Sequence, residues 1–203
     1  MQNEGQEIEA KFYLKNLAAL EQRLLHLGAE LISPRVLEIN LRFDLPDGSL
    51  TAARQVLRLR RDAVARLTFK GPAQPGETVS MRQEIEFEVS DYQAARQLLE
   101  ALGYHVSIFY EKYRTTYALN GCEVVLDELP YGMFAEIEAV NAEAIYTAAK
   151  RLGLDWDARI ADSYLVLFYR LKATTGLEAE NLAFDELSGW RGDLAAIGLR
   201  RAD

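Results

Sequence analysis

Three short segments of the chain repeat the order acid, apolar, acid: Glu7-Ile8-Glu9 in EIEAKF, Glu84-Ile85-Glu86 in EIEFEV and Glu136-Ile137-Glu138 in EIEAV. Side chains on an extended strand alternate faces, so residues two apart share one. Glu7, Glu9 and Lys11 therefore lie together, opposite Ile8 and Phe12. The same separation recurs along the chain. Arg58 and Arg60 oppose Leu57 and Leu59; Arg66, Thr68 and Lys70 oppose Leu67 and Phe69; Arg82, Glu84, Glu86 and Glu88 oppose Ile85, Phe87 and Val89. Asn40 and Arg42 share a face, as do Lys112 and Arg114; Glu136 and Glu138 oppose Ile137, and Asp127 opposes Leu126. Carboxylates are ligands for hard divalent cations, and guanidinium and ammonium groups grip phosphate oxygens. The chemistry on offer is that of a metal and a polyanion.

These residues need strands and helices to hold them. KNLAALEQRLLHLGAE predicts a helix capped by Asn16 and stopped at Gly28, SDYQAARQLLEALGY one opening at Ser90 or Asp91 and stopping at Gly103, and NAEAIYTAAKRLGL one from Asn141 to Gly153. Each follows a Glu-Ile-Glu segment directly. The period-2 segments EIEAKFYL, LEINLRFDL, QVLRLRRD, ARLTFK, RQEIEFEV, IFYEKYRTTYAL, CEVVLDEL and MFAEIEAV, punctuated by PDGS and NG, predict eight strands. The loop GPAQPGETVS, residues 71–80, divides them into two strand, helix, strand, strand, strand halves beginning near Glu7 and Glu84.

An antiparallel sheet with one face on helices and the other in water would account for simple alternation. A solvated face, however, uses Ser, Thr, Gln and Lys freely, whereas Glu and Arg dominate here. Eight antiparallel strands also suffice to close a barrel whose interior holds side chains or one small ligand. With helices outside, the apolar parity faces them and the charged parity lines a lumen. Unpaired buried charge costs several kcal/mol per ion, so such a lumen calls for water, metal and a polyanion. The expected fold class is thus α+β, an eight-stranded antiparallel β-barrel with helices packed outside.

EIEAK, with Glu7, Glu9 and Lys11, resembles the N-terminal Glu-x-Glu-x-Lys signature of the CYTH superfamily of class IV adenylyl cyclases and thiamine triphosphatases. The likeness continues in family order through RLR (Arg58, Arg60), TFK (Lys70), EIEFE (Glu84, Glu86, Glu88), EKYR (Lys112, Arg114), LDE (Asp127) and EIE (Glu136, Glu138), over roughly residues 5 to 171. It implies a triphosphate tunnel with Mg²⁺ or Mn²⁺ on carboxylates. The implied metal ligands are Glu7, Glu9, Glu136 and Glu138, with Asp127 and Glu86 as helpers; Lys11, Arg58, Arg60, Lys70, Lys112 and Arg114 would grip phosphate. Catalysis would rest on Glu7, Glu9, Lys11, Glu136 and Glu138. Glu84 and Glu88 either serve metal or neutralise neighbouring bases, and Arg42, Arg66 and Arg82 are phosphate ligands or rim charges. The activity implied is hydrolysis of a terminal phosphate of tripolyphosphate, a nucleoside triphosphate or thiamine triphosphate. Two alternatives stand beside it: class IV adenylyl cyclase, and a non-catalytic binder of polyphosphate or nucleotide. Class IV cyclases carry a His-Phe pair just ahead of the signature, where this chain has NEGQ.

Composition narrows the remaining classes. With 203 residues, 49% apolar, the chain has material for one sizeable core. The expected organisation is a CYTH domain over residues 1–171 and a tail over 172–203 that caps the tunnel or meets a second chain in a homodimer. The 31 acids against 23 bases, net −8, argue against a general nucleic-acid binder. A single cysteine, Cys122, excludes an internal disulfide and a cysteine metal site, and reads as an inert strand residue. His26 and His105 sit at or just past helix ends, where capping is the ordinary role. The opening has neither a leader pattern nor a bilayer-length apolar run, so a cytoplasmic protein without membrane partners is expected.

Overall fold

A computed structural model of the chain describes residues 6–72 and 80–203, and the side chains of residues 6, 7 and 80 lie outside that description. Most of the dividing loop, residues 73–79, therefore lies outside it too. The first half runs β1 (Gln6–Leu14), α1 (Leu17–His26), β2 (Glu30–Asp44), α2 (Ser49–Ala52), β3 (Val56–Arg61) and β4 (Ala65–Lys70). The second runs β5 (Ser80–Val89), α3 (Tyr92–Ala101), β6 (His105–Leu119), β7 (Cys122–Leu129) and β8 (Gly132–Glu138), followed by α4 (Ala142–Arg151), β9 (Arg159–Ile160) and α5 (Tyr164–Thr175). The two strand, helix, strand, strand, strand halves are as expected. The additions are α2, which tightens the PDGS turn, and the two-residue β9.

Helix starts follow from capping chemistry, in which a side-chain oxygen satisfies an orphan amide of the first turn. Asn16 Oδ1 accepts from Ala19 N, Asp91 Oδ1 from Gln93 N and Ala94 N, and Asn141 Oδ1 from Ala144 N. Gly28, Gly103 and Gly153, just past the three helix ends, all adopt positive φ, a region glycine enters without steric cost. The Asp44 carboxylate accepts from the amides of Leu45, Leu50 and Thr51 and from the Thr51 hydroxyl, which ties α2 to the end of β2.

All strand pairings are antiparallel, in the order β5-β4-β3-β2-β6-β7-β8-β1, and β1 returns to pair with β5 from Gln6↔Gln83 to Glu9↔Ser80. The sheet is a closed ring. Past Glu9 the edge of β1 is taken by β9, with Lys11 opposite Ile160. A ladder left open would strand backbone donors and acceptors, and the tail meets the same need on β6. There Leu182 N donates to Phe109 O and Glu111 N to Leu182 O.

The outward parity is apolar and largely covered by helices, although Ile85 and Phe87 of β5 stay about half exposed. Ile8, Phe12, Val124, Leu126 and Ile137 pack with Leu20 and Leu24 of α1 and Ile145 and Ala149 of α4. Leu41, Phe43 and Leu59 pack with Leu99 of α3. Towards one end of the barrel the inward parity also turns apolar: Tyr13, Tyr110, Leu129 and Phe134 cluster with Leu165, Leu167, Phe168 and Leu171 of α5 and with Leu182, Leu187 and Leu194 of the tail. Alternating charge on the strands does not announce this end, because there both faces are apolar. Among the described residues no helix is long and apolar enough to cross a membrane.

Candidate active site

The inward charges enclose a cavity of about 380 Å³, lined by Glu9, Lys11, Arg58, Arg60, Lys70, Lys112, Arg114, Glu136 and Glu138 among others. That volume lies in the range of small-molecule sites, ~300–1,000 Å³. Strand register explains the grouping. Glu9 faces Glu138 and Lys11 faces Glu136 across β1 and β8, while Arg58 and Arg60 project from β3, half the ring away. An acid-rich wall therefore looks across the lumen at an arginine wall.

Three carboxylates hold Arg58, Arg60, Lys112 and Arg114, and Lys70 pairs with Glu84 at 3.1 Å. Asp127, with no exposed surface, accepts from Lys112 Nζ at 2.9 Å, from Arg114 Nε at 2.8 Å and Nη2 at 2.6 Å, and from the Tyr164 hydroxyl at 2.9 Å. Glu38 lies 3.4 Å from Arg60, 3.7 Å from Lys112 and 3.8 Å from Arg114. Glu86 meets Arg60 at 3.2 Å and Arg58 at 3.3 Å and accepts from the Thr68 hydroxyl at 2.6 Å. On the acid wall Lys11 bridges Glu9 and Glu136, and Glu136 also accepts from Arg114.

Ionisation follows this arrangement. Burial pushes the Glu38 carboxyl upward, but Arg114, Lys112 and Arg60 outweigh it and hold it at about 2. Glu136 is likewise driven well below the usual carboxylate range, with Lys11 and Arg114 overcoming burial. For Tyr110 burial is overturned by Arg58 and Lys112, which lower its phenol. For Tyr164 burial and the nearby Asp127 and Glu136 charges raise it. Glu38, Glu86 and Glu136 are thus held in their ionised form by the bases around them.

Among the described residues six buried side-chain polar atoms have no hydrogen-bond partner, and five belong to one stretch of this wall: both amide atoms of Asn40, Nε of Arg58 and of Arg60, and Oε2 of Glu38. An unmet buried donor or acceptor costs ~1–3 kcal/mol. All five lie on β2 and β3.

The structure brings together Glu9, Lys11, Arg58, Arg60, Lys70, Lys112, Arg114, Glu136 and Glu138 on the cavity. Glu7 pairs with Arg82 through the backbone, and its side chain is outside the described residues. Asp127, expected to help with metal, sits behind the lining with its acceptor capacity taken by bases and a phenol. Glu38, Asn40, Tyr110, Glu123 and Tyr164 did not figure as site residues in the sequence. Glu38 shares the parity of Asn40 and Arg42, and Glu123 that of Asp127, so strand alternation carried a signal for both. Nothing local in the sequence marks the reach of Tyr164 into the lumen. Cys122 lies on the outward face, buried, with its thiol pushed up by that burial.

The carboxylates on the cavity suit a hard divalent cation: oxygen donors on adjacent strands. Among the described residues no group of three or more acids, histidines or cysteines converges as a metal site; the acids reach for bases instead.

A closed antiparallel barrel with a charged lumen and helices outside defines this molecule as a tunnel protein. The chain matches the CYTH domain over residues 5–149 and belongs to that family. A protein of Methanocaldococcus jannaschii, provisionally named an adenylate cyclase, is 27% identical over 172 residues, spanning 79% of this chain and 97% of the relative. A Vibrio parahaemolyticus structure, also provisionally named an adenylate cyclase, aligns with a TM-score of 0.74 at 22% identity, over 81% of this chain and 98% of that one. A Pyrococcus horikoshii protein aligns at 0.67 with 26% identity, over 79% and 98%. A Hippeastrum protein described as having dominant triphosphatase activity aligns at 0.60 with 22% identity, over 80% and 95%.

Proposed function

We propose that the lumen binds the triphosphate group of a small molecule together with Mg²⁺ or Mn²⁺ and hydrolyses its terminal phosphate. The observation that carries this reading is the arginine wall with its unmet donors, facing a wall of carboxylates across a cavity of ligand size. A triphosphate carries about four negative charges at neutral pH, so its non-bridging oxygens need donors on several sides. Arg58, Arg60 and Lys70 supply them from β3 and β4, Lys112 and Arg114 from β6, and Lys11 from β1. Glu9, Glu136 and Glu138, joined by Glu7, would hold the metal, which when bound neutralises phosphate charge and lowers the pKa of water. Asp127 we place with the bases.

Little covalent chemistry falls to the protein in phosphoryl transfer; positioning and charge do most of the work. The α5 helix and the tail pack against the apolar end of the barrel, and we read them as its cap. Cyclisation of ATP is the second reading, favoured by the name of the Methanocaldococcus relative. It requires the ribose 3′-oxygen to be driven onto the α-phosphorus with pyrophosphate leaving, hence rigid binding of the nucleoside, whereas hydrolysis needs an ordered water at the far phosphorus. The experiment is a product analysis with ATP, tripolyphosphate and thiamine triphosphate in the presence of Mg²⁺ or Mn²⁺. Orthophosphate with little cyclic AMP is expected. Pyrophosphate and cyclic AMP in equal amounts, without orthophosphate, would reverse the ranking.

A further inference from the structure

Tyr164 opens α5, beyond the residues that match the family, yet its side chain lines the lumen. Its place is fixed from several directions. The Ser163 hydroxyl caps the helix by accepting from Val166 N, the Tyr131 hydroxyl donates to the Tyr164 carbonyl at 2.9 Å, and the Phe134 ring meets the Tyr164 ring edge-on at 5.1 Å. From there its hydroxyl donates to Asp127, and its ring lies under two ammonium groups, Lys112 Nζ at 5.2 Å and Lys11 Nζ at 5.5 Å.

A carboxylate offers about four acceptor sites, and Asp127 has four donors, three of them from the cations Lys112 and Arg114. The fourth donor is neutral. It shares Oδ2 with Lys112 and Arg114 Nη2 and so tightens the grip on that oxygen without adding charge, which fixes how far Lys112 and Arg114 turn into the wall. The aromatic face attracts Lys112 and Lys11 on their lumen side. One side chain thus sets the direction of three basic groups.

We propose that Tyr164 is a positioning residue of the lumen, acting through Asp127 and the Lys11 and Lys112 ammonium groups to aim the bases at phosphate, and that Asp127 serves those bases rather than the metal. This rests on the triphosphate reading above. It assigns part of the site to a helix outside the matched domain.

Calorimetric titration of tripolyphosphate with Mg²⁺ into the full chain provides the test. Tyr164→Phe, which keeps the ring and loses the hydroxyl, should weaken binding by about tenfold at unchanged stoichiometry. Tyr164→Leu, which also loses the aromatic face, should weaken it further. A residue that only packs α5 would lower the fraction of competent protein and leave the dissociation constant as it was, so that pattern, or wild-type affinity in Tyr164→Phe, overturns the inference. Asp127→Asn supplies a second arm, valid even if the tyrosine variants fail to fold. It should lose affinity for tripolyphosphate while Mn²⁺, followed alone by electron paramagnetic resonance, binds as in the wild type. Loss of Mn²⁺ binding, or unchanged tripolyphosphate affinity, contradicts the assignment of Asp127 to the bases. If the wild type binds no tripolyphosphate at all, the functional reading falls and this inference falls with it; wild-type binding with indifferent variants removes this inference alone.

Discussion

Replacing Glu38 by glutamine removes one buried negative charge and leaves Arg60, Lys112 and Arg114 in the wall. The carboxyl is about 2 in the folded protein against 4.5 unperturbed, held down against its burial by Arg114, Lys112 and Arg60. At 1.36 kcal/mol per unit this corresponds to roughly 3 kcal/mol of stability at neutral pH, near the ~3–5 kcal/mol typical of breaking a buried ion pair. In a chain of this size the melting temperature of Glu38→Gln should fall by about 6–12 °C. The sign with pH follows from the depressed value. The contribution is complete above pH 4.5, where the unfolded chain is also ionised, and is lost as pH falls towards 2. The stability gap between wild type and variant should therefore close by about 1.4 kcal/mol per pH unit below pH 4.5. Denaturant unfolding at a series of pH values measures it. Tripolyphosphate, which returns negative charge to the same bases, should raise the melting temperature of the variant more than that of the wild type. Equal stability at pH 7, or a gap that does not narrow on acidification, would refute the reasoning.

Neighbours on β3 should separate stability from binding. Leu59→Ala, at a fully buried outward position, should cost ~2–5 kcal/mol in unfolding experiments and leave tripolyphosphate affinity intact; Arg58→Ala should weaken binding by ~2 kcal/mol in calorimetry. Asn40→Leu replaces two unmet buried polar atoms with an apolar group of similar size, so the ligand-free protein should melt at the same temperature or higher; a fall of several degrees would show that the amide has a partner. Glu9→Gln should abolish metal-dependent phosphate release while circular dichroism reports an intact fold, and full activity in that variant would remove Glu9 from the metal site.

The parts of the molecule legible in the sequence are those where local pattern and tertiary role coincide. On β1, β3, β4, β5 and β8 charge and apolarity largely alternate, and the closed ring brings Glu9, Lys11, Arg58, Arg60, Lys70, Glu84, Glu136 and Glu138 onto one cavity. Asn16, Asp91 and Asn141 announce their helices because capping is decided within four residues. What stayed hidden depends on register and path. Glu38 acquires its meaning from Lys112, its partner across β2 and β6, and those long strands carry register shifts that no local alternation encodes. The apolar end around Tyr13, Leu129 and Phe134 continues the inward parity with residues that read as ordinary core. Tyr164 reaches Asp127 only because α5 packs against the apolar end of the barrel. Asp127 was expected among the metal ligands by its place in the motif order; the four donors that reach it depend on register and path that the motif does not encode.

The most direct test of the central claim is a crystal structure of the chain with Mn²⁺ and tripolyphosphate, collected where manganese scatters anomalously. The account predicts phosphate density inside the barrel against Arg58, Arg60 and Lys70, with an anomalous peak beside Glu9, Glu136 and Glu138. Tripolyphosphate bound on the outer surface, or manganese away from those carboxylates, would contradict it.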